Sequence, residues 1–121
     1  VEIDKLALGG FWVVSDYESE MAGRPFRGHG LIGYDQVKKA YVCDWYGSMC
    51  SSATRFQGTY DAQKKILTLT ADAISPDGQE GKLRSVHTIR DADRRGLELT
   101  WIGKDGKECV CMQISFQRRK M

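Results

Sequence analysis

No apolar stretch in this 121-residue chain approaches the roughly 18 residues that a membrane helix requires, so a spanning helix is excluded. The opening residues do not read as a secretory leader, because Val1 leads directly into alternating residues with neither a basic segment nor an apolar one behind it. Charge of one sign is not in excess either: 18 Lys and Arg face 16 Asp and Glu. The bases gather late, at Arg94, Arg95 and the closing Arg118, Arg119 and Lys120, but no aromatic run is interleaved with them as single-strand binding requires, so no nucleic-acid role is expected. There is no His-x-x-x-His, no Gly-x-Ser-x-Gly, no phosphate loop and no dinucleotide fingerprint, which removes the enzyme classes those motifs mark. What is present, 41% hydrophobic and 28% charged residues, is ordinary for one globular domain spanning 1–121.

Apolar positions recur at every second residue and nowhere at helical spacing, which predicts strands throughout. Nine follow from the alternation: Val1 to Leu8, Phe11 to Ser19, Phe26 to Tyr34, Ala40 to Ser48, Ser52 to Tyr60, Ile66 to Ile74, Lys82 to Arg90, Gly96 to Ile102 and Lys107 to Arg118. Between them, Asp35-Gln-Val-Lys-Lys, Asp61-Ala-Gln-Lys-Lys, Pro76-Asp-Gly, Asp91-Ala-Asp and Lys104-Asp-Gly carry hairpin-turn chemistry. Consecutive hairpins make an antiparallel up-and-down meander, and an open sheet of about nine strands would leave two exposed edges. With no long Greek-key crossover in the chain, the expected architecture is an all-β meander closed into a lipocalin/calycin-like β-barrel.

The chain carries Leu8-Gly-Gly-Phe, Met21-Ala-Gly-Arg-Pro-Phe-Arg-Gly-His-Gly-Leu-Ile-Gly-Tyr-Asp, Lys38-Lys-Ala-Tyr-Val and Trp45-Tyr-Gly-Ser-Met in order. Gly58-Thr-Tyr-Asp, Leu67-Thr-Leu-Thr, the run Gly81 to Ile89 and Ile114-Ser-Phe-Gln-Arg follow. Together these resemble an uncharacterised bacterial family known as domain of unknown function fifteen seventy-nine. The resemblance implies a calycin-like barrel and brings no activity with it. Two departures stand out. Gly47 occupies the place of the Asp in the family's Trp-x-Asp-Ser, and the family's opening Leu-x-x-Leu-x-Gly-x-Trp strand has no counterpart before Val1. A barrel short of a strand would be gapped or would exchange strands, which makes a homodimer an expectation.

Side chains on one strand alternate between faces, so the more apolar parity of each strand is assigned to the lumen. This selects Phe11, Val13 and Tyr17; Tyr41, Cys43 and Trp45; Thr54, Phe56 and Tyr60; and Leu67, Leu69 and Ala71. Later strands add Leu83, Ser85, His87 and Ile89, then Leu97, Leu99 and Trp101, and last Val110, Met112, Ile114 and Phe116. An aromatic and apolar lining with few polar atoms is the make-up of a small-molecule pocket. The expected ligand-binding residues are Tyr17, Trp45, Phe56, His87, Trp101 and Met112, and the expected partner is a small apolar or amphipathic molecule. A lumen packed solid by these same side chains is the competing expectation.

His87 falls on the apolar parity beside Ser85, where it serves either as a ligand-orienting group, even an axial haem ligand, or as a buried histidine satisfied by Ser85 or a tyrosine hydroxyl. The second reading is preferred, and no cofactor is named by the sequence. His29 lies between Gly28 and Gly30, glycines that suggest a close approach of backbone or ligand. Cys43, Cys50, Cys109 and Cys111 lack the knuckle spacing of a zinc site. On a regular strand Cys109 and Cys111 would share a face with their Cα atoms about 7 Å apart, too far for a disulfide. Reduced thiols packed as small hydrophobes are expected, and with them a cytoplasmic location, although a leader removed before Val1 would leave the same sequence. Asp16, Glu18 and Glu20 take the polar parity, so no catalytic or metal residues are assigned. Three functions stand in order: a binding barrel, an interaction domain dimerising through edge strands, and a small enzyme with its site at the barrel mouth.

Overall fold

The computed structural model describes residues 2–7, 12–21, 23–48, 53–75, 77–91 and 93–117. They form nine antiparallel strands and no helix: β1 (Glu2–Ala7), β2 (Trp12–Met21), β3 (Arg24–Asp35), β4 (Ala40–Gly47), β5 (Thr54–Asp61), β6 (Ile66–Ile74), β7 (Glu80–Ile89), β8 (Arg94–Gly103) and β9 (Glu108–Gln117). The order in the sheet is the order in the chain, with β1 and β9 at its ends, so the expected all-β up-and-down meander is the observed one. The chain divides into two compact units, Val1–Gln57 and Gly58–Met121, and β5 carries it from one into the next.

Local chemistry sets the hairpins. The connections after β3 and β5 are the same turn written twice. Asp35 Oδ1 accepts hydrogen bonds from the backbone N–H of Val37 (2.9 Å) and Lys38 (3.0 Å), and Asp61 Oδ1 accepts from Gln63 (3.0 Å) and Lys64 (3.1 Å). Each carboxylate holds the tight end of its turn, and each turn closes on a lysine in the left-handed region, Lys39 at φ 52° and Lys65 at φ 58°. Gly78 and Gly106 supply the same backbone at φ 86° and 81° in the two Asp-Gly turns, at no steric cost. Strands run further than their alternation indicated. β2 and β3 pair out to Met21 and Arg24 around Gly23, and β7 and β8 begin at Glu80 and Arg94, because the backbone ladder continues past the last apolar side chain.

In the first unit the register puts Val13, Ser15, Tyr17 and Ser19 of β2 opposite Ile32, Gly30, Gly28 and Phe26 of β3. Cys43, Trp45 and Gly47 of β4 continue the rungs of Ile32, Gly30 and Gly28, so all of these share one face, the Tyr17 face. The Arg55 guanidinium pairs with Asp44 on the opposite face at 2.7 Å, which turns the next residue, Phe56, onto the Tyr17 face, where it is buried at 8 % exposure. In the second unit the rungs read Leu67–His87–Leu97–Ile114 and Leu69–Ser85–Leu99–Met112. Leu69 is 2 % exposed and anchors this Leu69 face with Ala71 and Ser85. Full burial of a leucine contributes about 2 kcal/mol.

One element corrects the alternation in β9. The register slips between Leu99, paired with Met112, and Thr100, paired with Val110, so Cys111 is an extra residue in a β-bulge. Val110, expected in the lumen, therefore shares a face with Thr100 and is 51 % exposed, while Cys109 stands opposite Trp101. The regular spacing of Cys109 and Cys111 along one face is broken by the same bulge.

Candidate ligand-binding face

Glycine and tryptophan shape the candidate surface together. The indole of Trp45 lies across β3 over Gly28 and Gly30, and a β-carbon at Gly28 would overlap its ring. Trp12 covers Gly33 in the same way on the opposite face. In the second unit Trp101 lies against Gly81, where a β-carbon would fall 2.6 Å from ring atom Cζ2. Each of the three tryptophans thus spreads over a glycine of the neighbouring strand, burying apolar ring surface that a larger residue would push away. The glycines flanking His29 are explained by Trp45, which needs the space.

On the Tyr17 face the rings form a cluster. Tyr17 meets Phe26 edge-on with centroids 6.0 Å apart and stands 6.3 Å from Trp45. Tyr17, Phe26 and Trp45 are all half-buried, with Phe56 and Cys43 enclosed on the same face. Burial pushes the Cys43 thiol up to about 11, with the charges of Asp44 and Glu2 adding to the effect, so this sulfur stays protonated and unreactive. The face also holds two acids. Glu2 and Asp4 of β1 are the register partners of Tyr17 and Ser15, and neither was assigned to a face from the sequence. Phe26 was likewise missed.

In the second unit His87, Trp101 and Met112 lie on the Leu69 face with Leu83, Leu97 and Leu99, and all six are half-buried. His87 Nε2 is 3.4 Å from the Ser85 hydroxyl. Burial between leucines, with the charge of Arg95 adding to the effect, holds the imidazole down to about 4, so His87 is neutral at physiological pH. Arg95 itself sits on this face with its guanidinium 4.5 Å above the Phe116 ring, a cation–π contact. Of the expected site residues, then, Tyr17, Trp45 and Phe56 are placed together in the first unit, and His87, Trp101 and Met112 in the second.

The other histidine is differently placed. His29 Nδ1 lies 2.8 Å from Asp16 Oδ1 on the exposed polar face of the first unit, with Tyr46 as its other cross-strand neighbour. Among the described residues, no group of three or more His, Cys, Asp or Glu is arranged to hold a metal ion. Cys50 lies outside the described residues, and among those described no helix is long and apolar enough to cross a membrane.

These observations define an all-β antiparallel meander protein whose units each carry one apolar, aromatic face. Within that class, the chain belongs to the family described as protein of unknown function (DUF1579), whose model matches residues 2–118. No curated protein and no solved structure is significantly similar to it.

Proposed function

We propose that this protein is a single lipocalin-like domain that binds a small apolar or amphipathic molecule on its half-open apolar faces, the Tyr17 face of the first unit and the Leu69 face of the second. Half-burial of large apolar side chains carries the reading. Tyr17, Phe26, Trp45, Leu83, Leu97, Leu99, Trp101 and Met112 keep part of their surface open on faces that hold the buried Cys43, Phe56, Leu69 and Ala71. Apolar area left open in this way is stabilised by a guest that removes it from water. In this reading the contact residues are Tyr17, Trp45 and Phe56 on the first face and His87, Trp101 and Met112 on the second, where the neutral His87 offers a guest one hydrogen-bonding nitrogen. Three free thiols, at Cys43, Cys109 and Cys111, support a reducing, cytoplasmic setting.

Native mass spectrometry of protein purified from its own host, repeated after denaturation, tests the proposal. An added mass that disappears on unfolding supports it. A bare mass from several preparations, with no change in tryptophan emission across a library of apolar compounds, overturns it.

A homodimer joined through edge strands is the second reading. It is favoured by the positions of β1 and β9 at the ends of the strand order and by Ile3, 55 % exposed, and Val110, 51 % exposed, on those strands. The enzymatic reading has the Asp16–His29 pair in its favour. That pair, with side chains 62 % and 49 % exposed, lies on the polar face, away from the half-open apolar surface.

A further inference from the structure

We propose that Cys109 and Cys111 are a reversible redox pair, closed into a disulfide by a hydroperoxide and reopened by thiols. The bulge in β9 supplies the geometry. Cys109 is paired with Trp101 and Met112 with Leu99, so three residue steps of β9 are held against two of β8. Two steps of regular strand cover about 7 Å and three about 10 Å, so the stretch from Cys109 to Met112 is shortened by about a third. On a regular strand the two cysteines would stand about 7 Å apart at Cα, beyond the roughly 6.8 Å at which disulfides cease to close. The shortening brings them inside that limit. None of Cys109, Val110 and Cys111 has a left-handed φ, so it is taken up by the near-helical backbone of an ordinary bulge.

The sulfur positions agree with this. Cys111 Sγ turns back to 3.7 Å from the carbonyl oxygen of Cys109, and Cys109 Sγ lies 3.9 Å from that of Val110, so both thiols stay over the bulge itself. Access then separates the pair from Cys43. Cys109 and Cys111 are exposed, whereas Cys43 is buried and its thiol is raised to about 11. Accessible cysteines with a second thiol at hand are the ones peroxides oxidise reversibly, and exposed disulfides are the ones thiols reopen. Transient bridges of this kind suit a reducing compartment.

The chemistry closes in two steps. One sulfur attacks the O–O bond of the hydroperoxide and becomes a sulfenic acid, its proton leaving on the departing oxygen as water or, from an organic hydroperoxide, as an alcohol. The second thiol attacks that sulfur, forms the S–S bond and expels the hydroxyl as water. Two thiols are oxidised and one peroxide is reduced; two thiol groups of a reductant restore the pair and leave as their own disulfide.

The test titrates the full reduced chain with hydrogen peroxide and follows it by alkylation and peptide mapping. Trypsin releases residues 108–118 as one peptide carrying both thiols. That peptide should lose two hydrogens, resist alkylation at both cysteines and recover both thiols in dithiothreitol. Cys109→Ser and Cys111→Ser should each leave the remaining thiol as a sulfenic acid that dimedone traps, a label the wild type loses by closing its bridge. A control moves the same spacing off the bulge: Gln113→Cys with Ser115→Cys, in a chain whose positions 109 and 111 are serine. Those two positions pair regularly with Glu98 and Gly96, so loss of the bridge is expected there, with urea midpoints checking that each variant is folded. A disulfide between two chains, a bridge to Cys50, oxidation to sulfinic acid without a bridge, or equal closure of the 113 and 115 pair overturns the inference. None of these readouts needs a bound guest, so the ligand-binding reading stands or falls separately.

Discussion

Protonation of His87 should make this fold acid-sensitive well above the range in which carboxylates titrate. The imidazole is held at about 4 by burial and by the charge of Arg95, against 6.5 when free. An unfolded chain therefore takes up this proton as the pH falls below about 6.5, while the folded chain refuses it until about 4. Stability is complete above the free value and is lost as the pH falls through the window between the two. Over the whole window the loss is about 3 kcal/mol, and between about pH 7 and pH 5 it is about 2 kcal/mol. Such a loss is a large part of the stability of a small domain. Leucine at position 87 would continue the row Leu67–Leu97 on the ladder and cannot titrate. Urea unfolding of wild type and His87→Leu at closely spaced pH values should show the wild type losing about 2 kcal/mol more than the variant between those two values. If both lose stability in parallel there, His87 is not held neutral by burial, and the account of its environment is wrong.

Other outcomes follow from the same geometry. Gly28→Ala places a β-carbon into the Trp45 ring, so the indole must leave β3, with an expected cost of about 1–3 kcal/mol in urea unfolding and a shift in tryptophan emission; an unchanged emission and midpoint would mean the ring does not rest there. Phe56→Ala, at a site 8 % exposed, should cost about 3 kcal/mol or more by the same assay. Alkylation followed by peptide mass mapping should modify the exposed Cys109 and Cys111 first and Cys43 last, since Cys43 is buried and its thiol is raised to about 11; early modification of Cys43 would contradict its burial. Arg55→Ala removes the partner of Asp44 on an exposed face and should leave the urea midpoint almost unchanged, because solvent screens the pair.

The strands and turns of this chain were legible because their causes are local. Alternation at period two marks strands, Asp35 and Asp61 build their turns from backbone N–H groups within three residues, and glycine follows Asp where φ turns positive. Parity carried Tyr17, Trp45, Phe56, His87, Trp101 and Met112 to their faces for the same reason, since each strand needs only its own residues to alternate.

What depended on a neighbouring strand was not legible. The bulge at Cys111, which turns Val110 outward and sets Cys109 beside Trp101, exists only in the register of β9 against β8. Gly28 and Gly30 were open to several explanations until Trp45, from a strand more than a dozen residues away in the chain, was placed across them. Glu2 and Asp4 read as ordinary charged residues on a first strand, and the ladder with β2 made them companions of Tyr17 and Ser15. The sequence by itself therefore determined the strands, the turns and the face each regular strand turns to its neighbours, because steric alternation and turn hydrogen bonds act over a few residues. The tertiary structure decided which rings, acids and hydroxyls meet, because cross-strand pairing joins residues whose proximity no local pattern encodes.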